Sequence, residues 1–257
     1  MNIPDNLAPI RISERNNSDC TNILEIKGNW PKVYPPNPTS LLLTTQALKE
    51  AAVLKAGDSV LDLGTGSGIV AINIARHYPK LLVNASDISE LSCKTARQNS
   101  KKYGVTLHIT CSDWLSEFSG LTFDLITAHP PAVPYPSIGA WGLSSEMEIA
   151  TNGGIDGTDS YFRIAEKAKH HLSEGGKLLL GIPHWANLEK ILKFLNEEYS
   201  EVSIHTKSNA PFFPIHRGTP SNEVITRTKN LVNEGHINID FDSFPPISPI
   251  SVISALK

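Results

Sequence analysis

An aspartate and three alternating glycines follow one another early in the chain. Asp62 lies in a short apolar stretch, and Gly64, Gly66 and Gly68 come soon after it. Glycine adopts positive φ freely and lets backbone N–H groups at the start of a helix approach a ligand. A dinucleotide fingerprint has the spacing G-x-G-x-x-G, which would place the third glycine one position later. The pattern therefore indicates a ligand-binding loop and makes a dehydrogenase the weakest interpretation.

Two further side chains stand at predicted strand ends and could take part in chemistry. Asp87 follows the second predicted strand, where its carboxylate can accept hydrogen bonds from ribose hydroxyl groups. His129 follows the fourth predicted strand and is followed by Pro130 and Pro131. A neutral histidine accepts one hydrogen bond, and histidine also exchanges a proton near neutral pH. The pattern therefore predicts a hydrogen-bond acceptor at one strand end and a group that can accept a hydrogen bond or exchange a proton at another.

Short apolar or β-branched runs alternate with helical patterns through the middle of the chain. The predicted strands are Ser59–Leu63, Leu81–Ser86, Val105–Thr110, Phe123–Ala128 and Lys177–Ile182, with final strands at Val202–Lys207 and Pro249–Ala255. The segments between them repeat apolar residues with the helical period, and further helices are expected near 40–54 and 221–233. We therefore predict an α/β fold, a doubly wound and mostly parallel seven-stranded sheet with helices on both faces.

The glycine loop and the acid after the next strand resemble motif I of the class I S-adenosylmethionine-dependent methyltransferases. Over about residues 33–182 the chain also resembles the release-factor glutamine methyltransferases and related small-domain methyltransferases. Their signature Asn-Pro-Pro-Tyr corresponds here to the His-Pro-Pro-Ala of His129–Ala132. The stretches Val33–Leu43 and Asn152–Ile182 resemble theirs as well. The resemblance implies that the chain is a methyltransferase of this fold.

The resemblance also implies a site for S-adenosylmethionine, with S-adenosylhomocysteine as the product. The glycine loop would hold the amino-acid end of the cofactor and Asp87 its ribose. Asp113 would accept from the adenine amino group, and Trp114 would cover the ring. The expected cofactor residues are Asp62, Gly64, Thr65, Gly66, Gly68, Asp87, Ile88, Ser112, Asp113, Trp114 and His129.

In the related enzymes the signature asparagine and the carbonyl after it accept hydrogen bonds from a planar NH₂ group, and the tyrosine packs on the substrate. The resemblance makes His129, Pro130 and Pro131 the expected catalytic residues, while Ala132 lacks the aromatic ring and Tyr135 is its expected substitute. The residues expected at the substrate are Tyr34, Ala132, Tyr135, Trp141, Phe212 and Phe213. The glycine-rich stretch 153–157 is expected to be part of a flexible lid.

We expect one methyltransferase domain over residues 1–257, because proline clusters before residue 40 and after residue 208 and leaves the regular elements between them. Residues 1–39 form an N-terminal extension with a small hairpin near 23–34. Residues 40–207 form the cofactor-binding core, and residues 208–257 form a C-terminal excursion and the last strand.

Composition limits the environment and the partners. A net charge of −3 makes nucleic acid an unlikely partner, and no apolar run is long enough to predict a membrane span. The three cysteines have no metal-ligand spacing, so we expect no metal and a reducing, cytoplasmic setting. The expected partner is a small-molecule or peptide substrate, and the expected state is a monomer or homodimer.

The predicted reaction moves a methyl group from S-adenosylmethionine to a heteroatom, with nitrogen favoured, of a peptide side chain or small metabolite. Three alternatives stay open. The chain could be a protein glutamine methyltransferase of the release-factor type. It could attack another electrophilic carbon of the cofactor, or it could bind the cofactor without catalysis as a partner subunit.

Overall fold

Helices and strands alternate along the chain in this computed structural model, which describes residues 26, 33–135, 143–212, 222–243 and 246–257. The helices are α1 (Pro38–Ala51), α2 (Ile69–His77), α3 (Glu90–Lys102), α4 (Ser145–Ile149), α5 (Asp159–His171), α6 (Leu188–Glu198) and α7 (Asn222–Asn233). The strands are β1 (Ser59–Leu63), β2 (Leu82–Asp87), β3 (His108–Cys111), β4 (Phe123–Ala128), β5 (Leu172–Pro183), β6 (Glu201–Pro211) and β7 (Ile247–Leu256).

The strands form one seven-stranded sheet in the order β3-β2-β1-β4-β5-β7-β6. Strands β1 to β5 are parallel, and β7 lies between β5 and β6 and runs antiparallel to both. Right-handed crossovers place α2 and α3 on one face of the sheet and α5 on the other. The predicted fold class is confirmed, including the two final strands.

The central strands are buried because helices cover both faces of the sheet. In β1 all residues after the first are buried, and β4 is buried at every position except Asp124. The amphipathic face of α5 turns Tyr161 into this core, where the hydroxyl group donates to the backbone carbonyl of Gly181 at 2.9 Å. A core of this kind gives the loops at the strand ends a rigid base.

The strand order reverses between β1 and β4, and this reversal defines where a ligand can sit. From β1 the chain moves outward to β2 and β3, and it then returns to the other side of β1 as β4. The register pairs Leu63, at the carboxyl end of β1, with Ser86 of β2 and with Ala128 of β4. In open α/β sheets the crevice at such a switch point is the usual ligand site.

The segment after β4, expected to include a flexible lid, is instead tied to its surroundings where the structure describes it. The backbone N–H of Val133 donates to Thr151 at 2.9 Å, and that of Gly153 donates back to Val133 at 2.9 Å. Asp156 accepts from Thr158 at 2.6 Å and pairs with Lys190 at 2.6 Å. These contacts connect the stretch 153–157 to the segment after β4 and to α6, and its role as a lid stays a prediction.

Two features complete the fold. Cys93 of α3 and Cys111 of β3 have paired sulfur atoms and Cα atoms 6.1 Å apart, a pairing that the sequence did not predict. Within the described residues, no helix has the length and apolar character needed to cross a membrane. The predicted hairpin near 23–34 falls almost wholly outside the described residues, and the division into core and extensions stays a prediction.

We predict that Gly157→Ala destabilises the protein more than Gly57→Ala. Both glycines have positive φ, +79° and +94°, so both variants incur backbone strain of about 1–2 kcal/mol. Only at Gly157 would the added methyl group meet backbone, the Ala132 carbonyl oxygen and the Cα of Ala186, which adds roughly 1–3 kcal/mol of overpacking. Urea unfolding measures both losses. Equal losses would contradict the claim that this stretch supports Ala132.

Candidate active site

A cavity of about 360 Å³ opens at the carboxyl ends of β1, β2 and β4. Its walls come from the glycine loop after β1, the start of α1, the segment after β4 and the end of β5. Its volume is within the range of small-molecule sites. The cavity therefore lies at the switch point of the sheet, between the two groups of residues expected to do chemistry.

Asp62 links the glycine loop to the sheet through hydrogen bonds. Its carboxylate is buried and accepts from the hydroxyl groups of Thr65 and Thr127, both at 2.7 Å. Burial raises the pKa of Asp62 to about 6, against the opposing effect of the two hydroxyl hydrogen bonds. The cavity thus contains a carboxylate for which a cationic ligand group would compensate.

Asp87 also binds the glycine loop through a hydrogen bond. One carboxylate oxygen accepts from the backbone N–H of Gly66 at 2.8 Å, and the other accepts from Ser89 at 2.9 Å. Burial raises the pKa of Asp87, while these backbone hydrogen bonds act in the opposite direction. Asp87 lines the cavity as predicted, and it also holds the loop in place, a role that the sequence did not indicate.

The third glycine has a packing role. Gly64 and Gly66 line the cavity, whereas Gly68 does not and lies behind the loop as the N-cap of α2. Its φ is +88°, and a Cβ there would stand 2.9 Å from Ile72 Cδ1 and 3.3 Å from Ala96 Cβ. Gly68 thus lets α2 pack closely on its neighbours, and its contact with the cofactor stays a prediction.

The segment after β3 forms the far wall of the cavity. Ser112, Asp113 and Trp114 line it together with Ile88, as expected for the adenine side. Trp114 has a φ of +51°, held by the Ser112 hydroxyl group, which donates to its carbonyl at 3.1 Å. This conformation brings the indole ring within packing distance of Gly64. Asp113 is exposed, so its carboxylate is accessible to a ligand.

His129 stands on the opposite side of the cavity, where β4 ends. Its Nδ1 lies 3.2 Å from the hydroxyl oxygen of Ser40 at the start of α1. Burial lowers the pKa of His129 to about 4, so the ring is neutral at pH 7. Pro130, Pro131 and Ala132 follow it along the cavity wall.

The residues expected at the substrate divide into three groups. Tyr34 and Ala132 line the cavity. Tyr135 and Phe212 do not: Tyr135 is buried with its hydroxyl group 2.9 Å from that of Thr151, and the ring of Phe212 packs on Trp185 at 5.4 Å between centroids. The structure thus places Tyr135 outside the cavity lining, and its role as substitute for the missing aromatic clamp stays a prediction. Trp141 and Phe213 lie outside the described residues.

Several cavity residues escaped the sequence analysis. Ser40 and Leu43 come from α1, Arg163 from α5 and Trp185 from the turn after β5. Ser40, Leu43 and Arg163 lie in the two further stretches that resemble the family, but no pattern there shows which side chains face the cavity. Among the described residues, no group of three or more histidine, cysteine or acidic side chains could hold a metal ion.

Comparison with known proteins agrees with this geometry. Residues 37–134, from the N-cap of α1 to the segment after His-Pro-Pro, match the family model described as methyltransferase small domain. A release factor glutamine methyltransferase of Streptococcus pneumoniae is 35% identical over 154 residues, which cover 59% of this chain and 54% of that protein. The chain thus spans about half the length of the curated relatives it matches.

Solved structures show the same fold over a larger part of the chain. A precorrin-6y C5,15-methyltransferase of Geobacter metallireducens superposes with a TM-score of 0.53 at 14% identity, covering 91% of this chain and 94% of its own. A 16S rRNA methyltransferase of T. thermophilus, solved with AdoMet and guanosine, gives 0.51 at 18% identity, covering 89% of this chain and 44% of its own. Residues 37–134 thus match the methyltransferase small-domain model, within a chain that has the class I methyltransferase fold.

Proposed function

We propose that the chain transfers a methyl group from S-adenosylmethionine to a heteroatom, with nitrogen favoured, of a peptide side chain or small metabolite. One observation supports this above the others. The loop held by Asp62 and Asp87 and the His129-Pro130-Pro131 segment line the same cavity. A cofactor bound at the glycine loop and a methyl acceptor bound at the His129 segment would meet in this cavity. We further propose a cytoplasmic monomer or homodimer that does not act on nucleic acid.

The residues present fit the proposed cofactor. Buried Asp62, with its pKa raised to about 6, suits the ammonium group at the amino-acid end of the cofactor. Asp87 retains lone pairs on a carboxylate already oriented by Gly66 and Ser89, as an acceptor for ribose hydroxyl groups requires. Asp113 and Trp114 would face the adenine. When bound, the cofactor supplies an electrophilic methyl group on a sulfonium.

The acceptor side suits a group that donates a hydrogen bond. Because burial keeps His129 neutral at pH 7, the ring can accept an N–H hydrogen bond and needs no prior loss of a proton. The Pro130 and Pro131 carbonyl groups provide further acceptors on a backbone that proline restricts. Orientation of this kind contributes up to about 7–11 kcal/mol in favourable cases. We therefore favour a hydrogen-bonding role for His129 over that of a general base.

A glutamine side chain in a protein is the second candidate acceptor. The relatives named release factor glutamine methyltransferase favour it, at 35% identity for the Streptococcus pneumoniae and Gloeobacter violaceus proteins. This site has fewer contacts for a substrate amide than the Asn-Pro-Pro-Tyr signature provides. Ala132 carries no aromatic ring, and Tyr135 does not line the cavity. The two remaining alternatives, attack on another carbon of the cofactor and binding without turnover, differ from both in their products.

We predict that incubation with S-adenosylmethionine and an extract of metabolites and peptides gives a product heavier by one methylene group, with release of S-adenosylhomocysteine. Mass spectrometry of the mixture identifies the acceptor. Release of methylthioadenosine without methylation would show that another carbon is attacked. Cofactor binding with no product would favour a non-catalytic partner subunit and contradict the proposal.

We predict that His129→Asn keeps much of the turnover, because asparagine also presents a hydrogen-bond acceptor, whereas His129→Ala loses it with cofactor affinity unchanged. Above pH 6 the ionisation of His129 should have little effect on wild-type turnover. Turnover should fall as the pH approaches 4, where the ring gains a proton. Steady-state rates of the three proteins across this range measure both effects. An inactive His129→Asn variant with intact cofactor binding would favour the base instead, and wild-type turnover in His129→Ala would place the acceptor elsewhere.

We predict that affinity for S-adenosylhomocysteine rises with pH through about 6 and then levels off. Below this value Asp62 is protonated in the free protein and must lose its proton to pair with the ligand's ammonium group. Asp62→Asn should weaken binding and reduce the pH dependence. Asp124→Asn is the control, since Asp124 bonds to Ser59 and Ser173 at the opposite end of the sheet. Titration calorimetry at pH 5 and 7.5 measures the difference, and equal pH dependence in all three proteins would remove Asp62 from the site.

A further inference from the structure

The N-terminus of α1 ends in a hydrogen-bonded box that touches His129. Asn37 is the N-cap, and its side-chain oxygen accepts from the backbone N–H of Ser40 at 3.0 Å. The Ser40 hydroxyl oxygen lies 3.2 Å from that same Asn37 oxygen and 3.4 Å from the Asn37 backbone N–H. It also lies 3.2 Å from Nδ1 of His129, 89 positions further along the chain. A helix cap and a residue of the acceptor site thus share one hydroxyl group.

The Ser40 hydroxyl group has one proton, and two arrangements compete for it. In the first, the proton goes to the Asn37 oxygen, and the Ser40 oxygen accepts from the Asn37 backbone N–H and from a protonated Nδ1. In the second, the proton goes to a bare Nδ1, and the Ser40 and Asn37 oxygens face each other with only lone pairs between them. The orientation of the Asn37 amide is not in doubt, because its oxygen accepts a backbone N–H. Only the first arrangement gives every contact a donor and an acceptor.

We propose that Ser40 is a positioning residue that keeps His129 protonated on Nδ1 and leaves Nε2 as a bare acceptor for the substrate. In the part of the chain that the structure describes, the Ser40 contact is the one hydrogen bond found for the ring of His129, so Nε2 is the nitrogen available to a ligand. Ser40 is buried, with 7% of its surface exposed, and it lines the cavity beside His129. The role at the substrate rests on the proposed function, whereas the protonation of the ring does not.

The tautomer decides what His129 can do in the cavity. With Nε2 bare, the ring accepts an N–H or O–H of the acceptor and directs that atom's lone pair elsewhere, as an asparagine oxygen would. With Nε2 protonated, the ring becomes a donor and would pair with the lone pair that must attack. Ser40 therefore lets a histidine serve where the related enzymes have asparagine.

Nitrogen-15 NMR of the full chain labelled at histidine tests the inference without any substrate. In the wild type we expect the Nδ1–H tautomer at His129 at pH 7. Asn37→Ala removes the competing acceptor, so the Ser40 hydroxyl should donate to Nδ1 and convert the ring to Nε2–H, although residue 37 does not touch His129. Asn37→Asp keeps a side-chain oxygen and should keep Nδ1–H. Loss of a helix cap on its own would not move the proton between the ring nitrogens.

Ser40 variants connect the tautomer to turnover. Ser40→Ala should lower kcat roughly tenfold with cofactor affinity unchanged, the effect of one lost hydrogen bond, and Ser40→Thr should restore it. Thr45→Ala is the control, since it removes an α1 hydroxyl that bonds only to the backbone of Leu41. An Nε2–H ring in the wild type, or a tautomer unchanged in both Asn37→Ala and Ser40→Ala, would overturn the inference. The expected tautomers without methyl transfer would instead contradict the proposed function and leave this assignment standing.

Discussion

The buried carboxylate of Asp62 is the constraint on which the whole site depends. One of its oxygens holds Thr65 of the glycine loop and the other holds Thr127 of β4, at 2.7 Å each. Thr127 is two positions before His129, so one side chain links the cofactor loop to the acceptor segment. Isolated ionised carboxylates are costly to bury, and here the hydroxyl groups offset part of that cost. The remaining cost of burying the ionised group raises the pKa of Asp62 to about 6, and a cationic ligand group would reduce that cost.

Sheet topology makes this link possible. β1 pairs with β4, and the register places Asp62 beside Thr127 near the carboxyl ends of the two strands. The other walls of the cavity come from segments that precede β1 or follow β4 in the sequence. α1 contributes Ser40, and the stretch 152–158 supports Ala132 from behind through the close approach of Gly157. The cavity is therefore rigid on the acceptor side as well as at the glycine loop.

Sequence patterns predicted the features that depend on residues close to one another in the chain. Strand periodicity, the glycines and the acid at the end of β2 report on nearby backbone geometry, so the sheet, the loop and the position of Asp87 were predictable. Contacts between distant segments were not. Nothing near Ser40 shows that its hydroxyl meets His129, 89 positions away. The burial of Tyr135 outside the cavity lining was not predictable either, because a strand pattern does not show which way a side chain turns after the strand ends. The glycines at 153–157 suggested flexibility, and the close packing of Gly153 and Gly157 against Ala132 was not predictable from the sequence.

The most direct test of the account is a calorimetric titration of S-adenosylhomocysteine into the wild type and Asp87→Ala, with NAD titrated in parallel. Asp87 both orients the loop and is proposed to accept from the ribose, so both functions fail together in the variant. The account predicts one bound ligand per chain in the wild type, a loss of roughly 1–3 kcal/mol of binding free energy in Asp87→Ala, and no binding of NAD. Absence of S-adenosylhomocysteine binding in the wild type, or equal affinity in the variant, would contradict it.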